Sequence, residues 1–98
     1  MSYAEFLKED QRLVILRILN EMPSYSSNSS IIYSALDHYG HAISRDQVKT
    51  HLSWLAQQDL VKIETIGSVI VARLTDFGAD VATGKAIVHG VKRPSAGA

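Results

Sequence analysis

Cysteine is absent from the 98-residue chain, so no disulfide can staple it and no thiolate can hold a metal. Its core must therefore come from apolar packing alone, and the expected home is the cytoplasm. Net charge is absent too: ten basic residues balance ten acidic ones. That balance withdraws any global electrostatic attraction to nucleic acid or to a membrane surface. Long apolar runs are also missing. The stretch Leu13 to Leu19 is short and interrupted by Arg17, and the start MSYAEFLKEDQRL carries charges where a secretory signal needs an apolar segment. Neither secretion nor membrane insertion is expected.

What is present is a globular balance, with 46% hydrophobic and 20% charged residues. A chain of this length builds one hydrophobic core. Charge is distributed unevenly: up to Gly40 there are three basic and five acidic residues, and from His41 onward seven and five. Any case for an anionic partner must therefore rest on local clusters in the second half.

Apolar residues recur at helical spacing from Ala4 to Met22 (Phe6, Leu7, Leu13, Val14, Ile15, Leu16, Ile18, Leu19), and Pro23 ends the pattern. The second half of this first helix is apolar almost all round, which predicts that part of it meets a second subunit. The segment PSYSSNSS, Pro23 to Ser30, reads as a loop whose Asn28, Ser29 and Ser30 are candidate N-caps. No histidine base or glycine-flanked elbow accompanies these serines, so capping rather than nucleophilic catalysis is their expected role.

A second helix is predicted from Ile31 to Tyr39, with Ile32, Leu36 and Tyr39 on one face and Gly40 closing it in a left-handed cap. Ser44 opens a third, with Gln47 at the capping-box spacing. Two helices joined by so short a link make a helix-turn-helix. In the third helix Val48, Leu52 and Leu55 share a narrow apolar face, with Asp46, Thr50, Ser53 and Gln57 opposite. Arg45 and Lys49 lie on one flank, Gln47 and Trp54 on the other; the tryptophan is expected to pack on the neighbouring ribbon.

After Asp59 the period changes to strand alternation, Val61 to Ile66 and Val69 to Leu74 around Gly67-Ser68, a hairpin with a type II′ turn. That turn sets Ile66 opposite Val69 and Lys62 opposite Arg73. Val61, Ile63, Thr65, Ile70, Ala72 and Leu74 form the expected core face. The like-charged pair Lys62 and Arg73 on the other face costs stability unless an anion such as a DNA phosphate sits nearby, or Glu64 and solvent screen it. Thr75 caps a last helix carrying Phe77 and Val81, placed beside the first helix. The end of the chain, with Lys85, His89, Lys92 and Arg93, is expected to fray, either as an extra phosphate contact or as a solvated terminus.

Other constellations yield little. His38 and His41 with Asp37 are split by Gly40 and make a poor ligand set, so no metal is predicted. Gly84-Lys85 lacks the spacing and the hydroxyl residue of a phosphate loop. No nucleophile, base and oxyanion donor occur at workable spacing, so neither an enzyme nor a cofactor is expected.

The order of elements, three helices, a tight ribbon and a closing helix, is that of a winged helix-turn-helix. SRDQVKTHLSWLAQQDLV, Ser44 to Val61, resembles the recognition-helix region of bacterial regulators of the ArsR, MarR and PadR type. LTDFGADVA, Leu74 to Ala82, resembles the strand-to-helix junction after their wing. From about Ile32 to Ala82 the chain is most similar to a family of small winged-helix proteins of Mu-like prophages.

The resemblance implies a mainly α fold with a two-stranded β-hairpin: a three-helix bundle, a wing and a C-terminal helix over residues 1–88, then a flexible basic tail over 89–98. It implies a double-stranded DNA partner, with Arg45, Gln47, Lys49, Thr50 and Ser53 facing the major groove and Lys62 and Arg73 approaching phosphate. Arg45 and Lys49 would neutralise phosphates, while Gln47, Thr50 and Ser53 touch base edges. A homodimer through the first and last helices would read two half-sites as a transcriptional regulator. Two positions depart from the pattern: the wing tip Ile66-Gly67-Ser68-Val69 is apolar, and Asp46 stands on the outward face. An apolar tip suits a protein partner, so a protein-interaction module of a phage or prophage assembly is the alternative. Asp59 replaces the usual helix-end glycine, a substitution that aspartate tolerates.

Overall fold

The computed structural model describes residues 2–95. Its elements are α1 (Tyr3–Glu21), a single 3-10 turn (Pro23–Tyr25), β1 (Ser26–Asn28), α2 (Ser29–His38), α3 (Arg45–Gln57), β2 (Val61–Ile66), β3 (Val69–Leu74) and α4 (Asp76–Ala82). The architecture is mainly helical with one three-stranded antiparallel sheet in the order β1-β3-β2, an arrangement compatible with a winged helix. No helix among the described residues is long and apolar enough to cross a membrane.

The helix boundaries follow from local chemistry. Ser2 caps α1 through its hydroxyl, Asn28 caps α2, and Thr75 caps α4. In α3 the Ser44 hydroxyl accepts from the Gln47 amide at 3.1 Å while Gln47 Oε1 accepts from the Ser44 amide at 2.9 Å. That is the predicted capping box. Helices α2, α3 and α4 close in left-handed turns, whereas α1 ends in extended backbone at Met22. At the end of α3, Asp59 takes φ +60°, its amide donates to Ala56 and the Leu60 amide to Leu55. Gly40 does the same after α2 at φ +93°.

The hairpin register is the predicted one, with Ile66 opposite Val69 and Lys62 opposite Arg73. Gly67 has φ +62° and Ser68 is not among the positive-φ residues, as a type II′ turn requires. The third strand is a correction. Ser26–Asn28, expected as loop, pairs with β3, Ser27 facing Ala72. Three polar residues give no alternating apolar signal, and their pairing is imposed by the free edge of β3. Where β1 ends, the Ser29 hydroxyl takes over and accepts from the Ile70 amide at 3.0 Å.

The core joins Leu16 and Leu19 of α1, Ile32 and Leu36 of α2, Val48, Leu52 and Leu55 of α3, Leu60, and Val61, Ala72 and Leu74 of the sheet. Three expectations need correcting. Tyr39 is exposed, because α2 ends at it and Gly40 turns the chain away. Ile63 and Thr65 are exposed as well: the outer half of β2 extends beyond the helices, so its alternation has nothing to cover it. The last segment also packs where fraying was expected. Val91 is buried, the Lys92 amide donates to Glu9, and Gly90 lies against Trp54. Packed chain thus extends past residue 88, while the tail residues 96–98 lie outside the described residues.

Candidate nucleic-acid interface

One side of α3 is sunk in the core, since Val48, His51, Leu52 and Leu55 are buried. The opposite side, with Arg45, Asp46, Gln47, Thr50, Ser53 and Gln57, is exposed. Asp46 stands in the first turn, where it complements the helix dipole. The cap uses the Gln47 amide oxygen, which leaves its NH2 group to donate outward.

Arg45 and Lys49 are positioned rather than loose. The Arg45 guanidinium lies 4.4 Å from the centre of the Tyr33 ring and donates to the Ser30 hydroxyl at 3.2 Å, which leans it toward the start of α2. Lys49 Nζ donates to the Ser68 carbonyl at 2.7 Å, tying α3 to the hairpin tip. These two cations, with Ser29, Ser68 and Val69, line an open recess of about 320 Å³. A guanidinium and an ammonium with donors to spare suit it to a phosphate-sized anion.

Lys62 and Arg73 stand elsewhere. They face each other on the solvent side of the sheet, beside Ser26, Glu64 and Val71, in a second recess that shares no lining residue with the first. The reason is the strand period: Val61, Ala72 and Leu74 point to the core, so residues one step along point away. The seven predicted residues therefore form two sets, α3 with the hairpin tip on one side and the base of the hairpin on the other.

Behind α3 lies a polar network that the sequence pattern did not reveal. His51 is 5% exposed. Its Nδ1 accepts from Arg12 Nε at 3.3 Å and its Nε2 lies 2.8 Å from Gln11 Oε1. An arginine only donates, so Nδ1 is bare and Nε2 carries the hydrogen. Burial, with the positive Arg12 adding to it, depresses the His51 pKa to about 4 and keeps the ring neutral. Arg12 also donates to the Gly90 carbonyl at 2.9 Å and lies 4.1 Å over the Trp54 ring, and burial lowers its own pKa. Trp54 thus packs against α1 and the last segment. The spacing 48, 51, 55 was the signal available for His51, since it continues the buried face of α3.

The short link after α2 is held as well: His41 Nε2 is 2.7 Å from Asp10 Oδ2, and Lys92 Nζ is 3.5 Å from Asp10 Oδ1. His38 stands edge-on to Tyr39. Leu13, Ile15, Leu16, Ile18 and Leu19 of α1 are all buried within one chain, partly against α4. Part of the apolar surface that suggested a dimer through α1 is thus taken up within the chain, while Val14 stays half-buried and Phe6 of α1 and Phe77 of α4 stay exposed.

A helix-turn-helix whose second helix presents an open polar face, followed by a hairpin tied to that helix, is compatible with a small winged-helix-like protein. The chain belongs to the family of the uncharacterised protein gp26 of Escherichia phage Mu, with which it is 49% identical over 90 residues, 92% of this chain and 93% of that one. An uncharacterised protein of Haemophilus influenzae is 53% identical over 76 residues, 76% of this chain and 74% of that one. No protein-family model matches. Among solved structures, a complex of hsRosR-S1 superposes with a TM-score of 0.57 at 24% identity, covering 71% of this chain and 61% of that chain. At that identity the likeness is one of fold.

Proposed function

We propose that the chain is a cytoplasmic DNA-binding protein of the winged helix-turn-helix type that lays the open face of α3 in the major groove and regulates transcription. The observation that carries this reading is the solvent-facing row Arg45, Gln47, Thr50 and Ser53 on a rod whose other side is buried. Beside that row the Arg45 and Lys49 recess offers two cations to the phosphate backbone. The Gln47 NH2 group donates to acceptors on base edges, and the Thr50 and Ser53 hydroxyls donate or accept. Lys62 and Arg73, on the far side of the sheet, stand outside this set. No enzymatic role, cofactor or metal enters the proposal.

The test is fluorescence anisotropy of a labelled duplex against salt. Arg45→Ala and Lys49→Ala are each expected to weaken binding about tenfold at low salt and to lower the log–log salt slope by about 0.9. Lys62→Ala should leave both nearly unchanged. Affinity indifferent to salt and to the α3 substitutions would defeat the reading. A second reading rests on the 55% exposed Ile66 at the hairpin tip, which suits a protein partner in a phage assembly. Under it, Ile66→Lys abolishes partner binding and the duplex does not bind.

A further inference from the structure

We infer that β2 is a homodimer interface, on which two copies of this chain join edge to edge across a twofold axis through Ile63, forming one six-stranded antiparallel sheet. The inference is independent of the DNA reading. The sheet order β1-β3-β2 leaves β2 with a free edge. Among the described residues no other element bonds to its backbone on that side; the Leu60 carbonyl just before it accepts from Thr75 on the β3 side. The edge is six residues long, and Ile63 and Ile66 are exposed on it to 36% and 55%.

The backbone pattern fixes which groups are available. Thr75 donates to Leu60, and Ile70 turns its amide toward β1, to Ser29. In an antiparallel ladder these bonds alternate, so Lys62, Glu64 and Ile66 bond to β3 while Val61, Ile63 and Thr65 aim their N–H and C=O groups outward. A second β2 running antiparallel with Ile63 opposite Ile63 meets those groups in phase. Ile63 exchanges both bonds with its symmetry mate, and Val61 does so with the mate's Thr65.

The side chains decide in favour of a second copy over another partner. In this register Lys62 of each chain falls opposite Glu64 of the other, in the non-hydrogen-bonded position where side chains approach most closely. Lysine on an edge strand ordinarily deters pairing. Here the twofold supplies a carboxylate to each lysine, and two complementary pairs form at once. The same contact answers an imbalance within the chain: Lys62 faces Arg73, and among the described residues no carboxylate forms an ion pair with either. On the core-side face, the two exposed Ile63 side chains cover one another.

So short an edge buries less than a standard interface, and the expected association is in the micromolar range. Sedimentation equilibrium of the full chain up to about 100 μM should show a reversible dimer. Lys62→Glu and Glu64→Lys each turn two attractions into two repulsions and should raise the dissociation constant tenfold or more. The double variant Lys62→Glu/Glu64→Lys recreates both pairs in reverse and should restore it. Far-UV circular dichroism and thermal melting control for folding, because all three changes are on exposed positions. A chain monomeric throughout that range overturns the inference. So does a dimer untouched by either reversal, or one dissociated instead by Val14→Glu on α1.

Discussion

Acidification should destabilise the fold through one residue, His51. In the folded chain its Nδ1 is already occupied as an acceptor of Arg12, so a second ring proton would point at a guanidinium inside a buried site. The folded pKa is accordingly lowered to about 4 from the ordinary 6.5. Between these values the unfolded chain binds a proton that the folded chain refuses. The stability associated with neutral His51 is fully present above pH 6.5, falls as the pH drops below it, and levels off near pH 4. One proton is worth about 1.4 kcal/mol per pH unit, so going from pH 7 to pH 5 costs about 2 kcal/mol. For a domain of this size that lowers the melting temperature by roughly 10 °C. Urea unfolding of the parent and of His51→Gln at both pH values isolates the effect. The glutamine keeps an acceptor and a donor but has nothing to titrate, and all other groups cancel. The parent should lose about 2 kcal/mol more than the variant; losses equal to within about 0.5 kcal/mol would refute the reasoning.

Three further substitutions probe the frame that holds α3. A Cβ on Gly78 would collide with the Leu60 carbonyl oxygen, so Gly78→Ala should cost about 2–4 kcal/mol in denaturant unfolding by forcing α4 off the hairpin base. Asp59 holds a left-handed φ of +60°, and Asp59→Gly should raise stability by up to about 1 kcal/mol, measurable as a higher melting temperature. Ser44→Ala removes one half of the capping box. It should cost about 1 kcal/mol and speed hydrogen exchange at the Gln47 amide.

Much of this architecture is legible in the sequence because its signals are local. Ser44 and Gln47 sit at the capping-box spacing, Gly67 sets a two-residue turn, and Val48, Leu52 and Leu55 repeat with the helix period. Each needs only a few neighbouring residues to act. What escaped is what depends on distant partners. Ser26 to Asn28 became a strand because β3 offers an edge 45 residues away in sequence. The last segment packs because Arg12 and Trp54 hold Gly90, and His51 is tolerated in the core because Gln11 and Arg12 satisfy it. For the candidate site, the exposed row on α3 followed from its periodicity. The separation of Arg45 and Lys49 from Lys62 and Arg73 did not, because it depends on how the sheet packs against α3.

The claim on which the functional account stands is that a duplex meets the open face of α3. An amide-resolved NMR titration of the labelled chain with a short duplex tests it most directly. Shifts concentrated in residues 44–57 and at the hairpin tip, 66–69, with α1 silent, are the predicted result. Saturating duplex that leaves α3 unshifted, or that shifts only the outer face of the sheet, would contradict it.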